Sequence, residues 1–324
     1  MKSCIFKIRG LDVCECEYHF VPLQKLFIKQ VIKQMKFAIF GNTYSDLTLI
    51  YLKSLLDFLK KQGASVLLEH DLFHFLQKEQ VSGLEAIGVI TDDNFNCDYA
   101  LSIGGDGTFL KTASYIGTKN IPVLGINIGR LGFLADVAVE NMIPAVSALL
   151  AGELNIEERT LLTVESSEGV PFVHPFALNE ISILKQDSSS MLSIHTTLNG
   201  EPVHTYQADG LLVSTPTGST AYSMSVGGPI VVPQAGNFIL SPVASHSLNV
   251  RPLIVPDSWV IDLEIKSRTK SYQLALDGRT FILNESTRLR ISKAGFTIKL
   301  LKQPNHTFFD NLKNKLMWGV DKRN

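Results

Sequence analysis

The residues best suited to chemistry begin at a turn. Gly104-Gly105-Asp106-Gly107-Thr108 follows the apolar run Tyr99–Ile103 and opens a helical pattern that reaches Ile116. Glycines let a ligand come close to the backbone, and the free amides of a helix N-terminus attract phosphate. The spacing is neither GxxxxGK(S/T) nor GxGxxG, so neither familiar phosphate-loop reading applies. Asp106 has two readings here. It is the cap of the helix that follows, or it is a carboxylate held beside a phosphate-bearing ligand, able to take a proton from an attacking hydroxyl. Lys111 falls on the same helix within reach of a phosphate; taken alone it reads as a solvated lysine.

Two further segments stand out. Asn179 and Glu180 lie inside the apolar run Pro175–Leu184, where adjacent polar residues either need partners or mark an edge strand open to water. Asp209 opens the apolar run Gly210–Ser214, which feeds Thr215-Pro216-Thr217-Gly218-Ser219-Thr220-Ala221-Tyr222-Ser223 and then Gly227-Gly228-Pro229. Hydroxyl and glycine density of this kind suits a loop folded over a polyhydroxylated ligand, with Tyr222 free to stack on a base. A plain surface connector is the alternative.

The elements that must position these residues follow from periodicity. A strand over Lys36–Phe40 precedes an amphipathic helix over Asp46–Gln62, with Leu52, Leu55, Leu56 and Leu59 at helical spacing and Gly63 as its stop. Strands at 65–68, 99–103 and 122–126 alternate with helices at 72–77, 106–116 and 145–150, which implies a mostly parallel sheet with helices on its faces. Past Leu154 the pattern changes to strands separated by turns. Asn199-Gly200 and Asp277-Gly278 each join two strand runs as two-residue hairpins. Strands are expected at 259–266, 288–292 and 297–301, and a terminal amphipathic helix at 306–319, with Phe308, Leu312, Leu316 and Met317 on its apolar side. The reading is an α/β domain over 35–153, an antiparallel β-rich domain over 154–305, a C-terminal helix over 306–324, and an extension at 1–34 outside the core. A docking or targeting segment is the rival reading of that extension.

Composition excludes several classes. Of 324 residues, 45% are apolar and 19% charged, which is globular. Thirty basic residues against 31 acidic give no electrostatic footprint for nucleic acid or an anionic membrane. No apolar run approaches the roughly 18 residues that span a bilayer. Residues 1–34 carry six basic and three acidic side chains, and lysines at 25, 29 and 33 interrupt any leader-like apolar core. The four cysteines, Cys4, Cys14, Cys16 and Cys97, form no CxxC pair. Cys14, Cys16 and His19 read as incidental rather than as a metal site. A reducing, cytoplasmic setting is expected.

The combination of GGDGT at 104–108, LNE at 178–180 and DGLLVSTPTGSTAYSMSVGGPI at 209–230 resembles the NAD kinase family, from Met35 to the C-terminus. The resemblance implies an N-terminal Rossmann-like parallel-sheet domain packed on a C-terminal antiparallel β domain, with the active site between them. It implies transfer of a phosphoryl group from ATP to the adenosine 2′-hydroxyl of NAD, yielding NADP. By position it makes Asp106 the general base, with Gly105 and Gly107 beside the nucleotide and Lys111 near the phosphates. Asn179 and Glu180 then contact nucleotide and ribose groups, and Asp209 helps to hold the nicotinamide end. Thr220, Ala221, Tyr222 and Ser225 line the adenine and ribose pocket. Ala244 and Arg279 belong to the binding set, and His246 reads equally as a site residue or an ordinary loop histidine. A divalent cation, Mg2+ by expectation, comes with the donor's phosphates rather than in a protein cage. Dimers or tetramers are expected. Gln207, the Ser188-Ser189-Ser190 turn and Arg279 depart from residues that some members carry, which bears on the choice between NAD and NADH. The competing readings are a lipid or sugar kinase of the wider GGDG group and an idle nucleotide-sensing module.

Overall fold

Phe37, Ala38, Ile39 and Phe40 are all buried in the first core strand, β1 (Lys36–Gly41), and burial on both faces is what a central parallel strand requires. The computed structural model describes residues 6–8, 11–13, 35–43, 46–129, 132–187, 190–304 and 306–319. The expectations for Cys4, Cys14, Cys16 and His19 lie outside them, as do Ser188 and Ser189. Phe6–Ile8 and Leu11–Val13 pair as a short antiparallel ladder.

Helix α1 (Asp46–Gln62) has the bounds its leucine spacing predicts: Leu52, Leu55 and Leu59 are fully buried, and Gly63 ends it at φ 78°. There follow β2 (Ser65–Glu69), α2 (His70–Lys78), β3 (Gly88–Ile90), β4 (Tyr99–Gly104), α3 (Asp106–Ile116), β5 (Val123–Asn127) and α4 (Met142–Ala151). The strands lie in the order β3-β2-β1-β4-β5, all parallel. The chain winds outward from β1 in one direction and then returns past it to β4. A doubly wound sheet binds its ligands at the carboxyl ends of the strands flanking that reversal. The Gly104–Thr108 turn leaves β4 at that point, tied to the end of β1 by the bond from Asn42 N to Ile103 O (3.0 Å).

The remainder is built from β6 (Asn155–Ser166), β7 (Glu180–Leu184), β8 (Leu192–Leu198), β9 (Glu201–Ala208), β10 (Gly210–Ser214), the single turn α5 (Tyr222–Ser225), β11 (Asn237–Val243), β12 (Leu253–Pro256), β13 (Ile261–Lys266), β14 (Ser271–Leu276), β15 (Arg279–Asn284), β16 (Leu289–Lys302) and α6 (Phe308–Leu316). One sheet has the order β12-β11-β10-β7-β14-β15, antiparallel throughout. Its inward side chains, among them Ile181, Leu211, Val213, Phe238 and Leu240, meet Ile194, Leu263 and Ile291 of the facing strands in one core. Each such side chain contributes about 1.5–3 kcal/mol through removal from water.

Both predicted hairpins form, and both turns place a non-glycine and then a glycine at positive φ: Asn199 at 49° with Gly200 at 82°, and Asp277 at 47° with Gly278 at 83°. Three strand expectations are corrected. The run 175–184 is not one strand, since pairing stops at Ala177 and resumes at Glu180. The segments expected at 288–292 and 297–301 are a single strand, β16, with its register shifted between Lys293 and Thr297 by a bulge. The strand expected from Trp259 begins at Ile261. β16 pairs antiparallel with β13 and β6 and parallel with β5 at Leu300–Val123, so one twelve-stranded sheet runs through both halves. Helix α6 is shorter than the expected 306–319. A capping box between Thr307 and Asp310 starts it, and Met317, exposed at φ 54°, ends it.

Candidate active site

Asp106 is the first residue of α3, and Gly105 occupies the cap position without a side-chain bond. The cap reading of Asp106 therefore does not hold. Its carboxylate turns instead to a neighbouring loop, where Oδ1 accepts from the Leu134 and Ala135 amides and Oδ2 from the Phe133 amide, each at 3.0 Å. Lys315 Nζ of α6 lies 3.3 Å from Oδ2. A β-carbon built on Gly105 or Gly107 would meet nothing within 4 Å. The fold does not require glycine at either position, and both leave the first turn of α3 open to a ligand.

The β half presents a second acidic centre. Asp277, in its hairpin turn, accepts from the amides of Leu178 (2.6 Å), Asn179 (2.8 Å) and Glu180 (3.1 Å). Those amides need a partner because pairing is broken at 178–179, and the interruption of the strand and the conformation of the turn are thus one feature. Asn179 is buried and its carbonyl accepts from Thr215 N. Gly218 crosses so close to Asn179 that a β-carbon there would lie 2.1 Å from the Asn179 carbonyl oxygen. Glu180 belongs to β7, a central strand of its sheet, so the open-edge alternative fails. Burial first, and the Asp277 carboxylate second, push the Glu180 carboxyl up to about 8, against an opposing bond from the Tyr222 amide. Its Oε2 is buried with no hydrogen-bond partner.

The hydroxyl-rich segment is packed rather than open. Thr215 Oγ1 donates to Leu178 O, Ser219 Oγ donates to Val231 O and accepts from Val231 N, and Ser223 Oγ meets Ser241 Oγ at 3.2 Å. These hydroxyls, fully buried at Thr215, Ser219 and Ser223, hold the turn together, which corrects their reading as ligand contacts. Thr220, Ala221, Tyr222 and Ser225 remain accessible, and they are the four that the family resemblance selects. Thr217 and Thr220 line a small cavity together with Phe133, Leu134, Lys302 and Phe308, which joins the Asp106 loop, the Thr217–Ser225 turn and α6 in one place.

Other expected residues are placed differently. Lys111 is engaged away from the turn, with Glu69 (2.9 Å) and Asp71 (3.3 Å). Arg279 braces the fold: its guanidinium donates to the carbonyls of Leu276, His174 and Phe176 and stacks over the Phe176 ring. Asp209 pairs with Lys185 at 2.7 Å. Ala244 adopts φ 46°, an uncommon conformation for alanine, and the nearby His246 amide donates to Gln207 O. Among the described residues no group of three or more His, Cys, Asp or Glu side chains could hold a metal ion. Sequence reasoning missed the Asp277 carboxylate, visible there only as half of an Asp-Gly turn. It also missed the 133–135 amides and Lys315, for which the sequence carries no signal.

A glycine-flanked carboxylate at the reversal of a doubly wound sheet, joined to a β half with a buried glutamate and an accessible tyrosine, defines a two-domain nucleotide phosphotransferase. Solved structures share the fold. A yeast NADH kinase crystallised with NADH has a TM-score of 0.81 at 23% identity, over 89% of each chain. An NAD kinase from Archaeoglobus fulgidus in complex with ATP has 0.67 at 24%, over 87% of this chain and 99% of that one. Residues 37–154 match the ATP-NAD kinase N-terminal domain, and residues 178–303 match the ATP-NAD kinase C-terminal domain. An NAD kinase of Bacteroides fragilis is 48% identical over 289 residues, 89% of this chain and all of that one, and one of Cytophaga hutchinsonii is 42% identical over 292 residues, 90% of this chain and all of that one. The chain belongs to the NAD kinase family.

Proposed function

We propose that this chain transfers the terminal phosphoryl group of ATP to the adenosine 2′-hydroxyl of NAD, giving NADP and ADP. The observation that carries the reading is the Asp106 carboxylate, set at the carboxyl end of β4 between two glycines whose β-carbon positions are open. A secondary hydroxyl is a poor nucleophile. Asp106 accepts its proton as the 2′-oxygen forms a bond to the γ-phosphorus, and the bond from that phosphorus to the β–γ bridging oxygen breaks to release ADP. The Glu180 carboxyl, buried with its Oε2 unpaired, offers a hydrogen-bonding group to a ligand hydroxyl, and the accessible Tyr222 ring offers a face to a base. The donor enters as its complex with a divalent cation, Mg2+ by expectation, so the metal is part of the substrate.

Within the same reading the chain divides into an α/β domain over 35–153, a β-rich domain over 154–305 and a terminal helix, with residues 1–34 outside the core. A cytoplasmic location accords with Cys97, a free and buried thiol. Dimers or tetramers through the β half accord with Leu248, Leu253 and Ile254, which are exposed around its outer strand. A coupled assay for NADP from NAD, ATP and magnesium tests the reaction. NADP formation is the expected result. Phosphorylation of a lipid or free sugar with NAD untouched, or nucleotide binding with no transfer, would overturn it.

A further inference from the structure

We propose that Lys315, carried by the C-terminal helix, is a mobile cation of the active site: it pairs with Asp106 while the donor is absent and moves to the donor's phosphates when ATP binds, releasing Asp106 to act as base. The inference rests on the reading of Asp106 given above.

The first observation is the filling of Asp106. A carboxylate has about four lone-pair sites, two on each oxygen. Here Oδ1 holds the Leu134 and Ala135 amides, and Oδ2 holds the Phe133 amide and the Lys315 ammonium. A carboxylate so occupied has no lone pair left for a substrate proton. Three of its donors are backbone amides fixed by their loop. The fourth sits on a four-carbon stem and can leave without any change in the main chain.

The second observation is how the helix is anchored and how its lysine is left. The capping box at Thr307 and Asp310 starts α6. Phe308 packs on Phe133 with ring centroids 6.1 Å apart, Leu312 is buried, and Asn311 Oδ1 accepts from His306 Nε2 at 2.7 Å. The helix is therefore seated on the loop that holds Asp106. Lys315 projects from its last turn, with Nζ 4.5 Å from the centroid of the Phe133 ring and the side chain one-third exposed. That ring face gives the stem a surface to slide across.

The third observation is the engagement of neighbouring cations. Lys111 is paired with Glu69 and Asp71, Lys185 with Asp209, and Lys302 with the buried Asp136 at 2.6 Å, while Arg279 is bound to carbonyls. Phosphoryl transfer depends on cations placed at the transferring group. A nucleoside triphosphate carries more negative charge than one carboxylate already served by three amides, which favours relocation of the ammonium to the phosphates. A lysine suits this exchange because its compact charge sits on a flexible stem.

The test uses the full chain with Lys315→Met and Lys315→Arg, assayed beside wild type and Asp106→Asn. For Lys315→Met, kcat/KM for ATP should fall about 100-fold, the scale for one lost stabilising donor at a reacting group. Its NAD dissociation constant should stay within about twofold of wild type, as for an interaction made with donor and transition state only. Its melting temperature should shift by less than about 3 °C, the scale of a minor surface change in a chain of this size. Lys315→Arg, which keeps the charge, should recover at least about tenfold of the loss. The proposal is overturned if Lys315→Met keeps kcat/KM for ATP within about threefold of wild type, or if NAD affinity falls in parallel with ATP efficiency. It is equally overturned if Lys315→Arg, with an unchanged melting temperature, is as impaired as Lys315→Met. If Asp106→Asn turns over normally, the reading of Asp106 as base fails instead, whatever the Lys315 variants do.

Discussion

Glu180 occupies a position where the fold opposes its charge. Burial and the Asp277 carboxylate raise its carboxyl to about 8, whereas in the unfolded chain it returns to the ordinary range near 4.5. Between those values the native state keeps a proton that the unfolded state has released. Stability contributed by this group therefore falls as pH rises through that window, and levels off above about 8. Glu180→Gln retains the shape and removes the titration. Urea unfolding of both proteins at mildly acidic and mildly alkaline pH should show the variant gaining stability relative to wild type as pH rises. Equal differences at both pH values would contradict the placement of Glu180. The sequence showed Asn179 and Glu180 as a polar pair in an apolar run. It could not show the partner, because Asp277 lies 97 residues from Glu180 and meets it only through a hairpin turn.

At the scale of elements, the turn between β4 and α3 either accommodates a ligand or merely starts a helix, and Gly107 separates the two. Its β-carbon position is open, and alanine is favoured over glycine in a helix by up to about 1 kcal/mol. Gly107→Ala should therefore leave the melting temperature equal or higher. Yet KM for ATP or NAD should rise by roughly an order of magnitude, because the added methyl stands where the nucleotide approaches; such a rise corresponds to about 1.4 kcal/mol. A variant that is stabilised and fully active would show that the ligand does not approach this turn. Elements with strong periodicity were legible in advance: the bounds of α1 followed from its leucines, and both hairpins from their Asn-Gly and Asp-Gly pairs. The 215–225 turn is legible as unusual from its composition, but hydroxyl density alone points to a ligand, whereas half of these hydroxyls hold the turn together. Residue type announces hydrogen-bonding capacity, whereas the partner is set by packing. β16 reads as two strands in the sequence because a bulge interrupts the alternation on which strand reading depends.

For the whole molecule, β16 joins the two halves in one sheet, and α6 returns the end of the chain to the loop holding Asp106. Neither long-range return leaves a local sequence signal. The parallel pattern starts at Lys36, and 289 residues of this chain match the full length of the Bacteroides fragilis relative. Deleting residues 1–34 should accordingly leave the melting temperature and NADP formation nearly unchanged; an insoluble or inactive product would show that the segment belongs to the core. With the proposed base in the α/β half and much of the acceptor's binding in the β half, the division of labour is open to one measurement. Asp106→Asn keeps the size of the side chain and removes the proton acceptor. Its kcat should fall roughly 100- to 10,000-fold, the range for a positioned general base, while the NAD dissociation constant changes little. Retention of more than about a tenth of wild-type kcat, with NAD still bound, would contradict the assignment of Asp106 as the base.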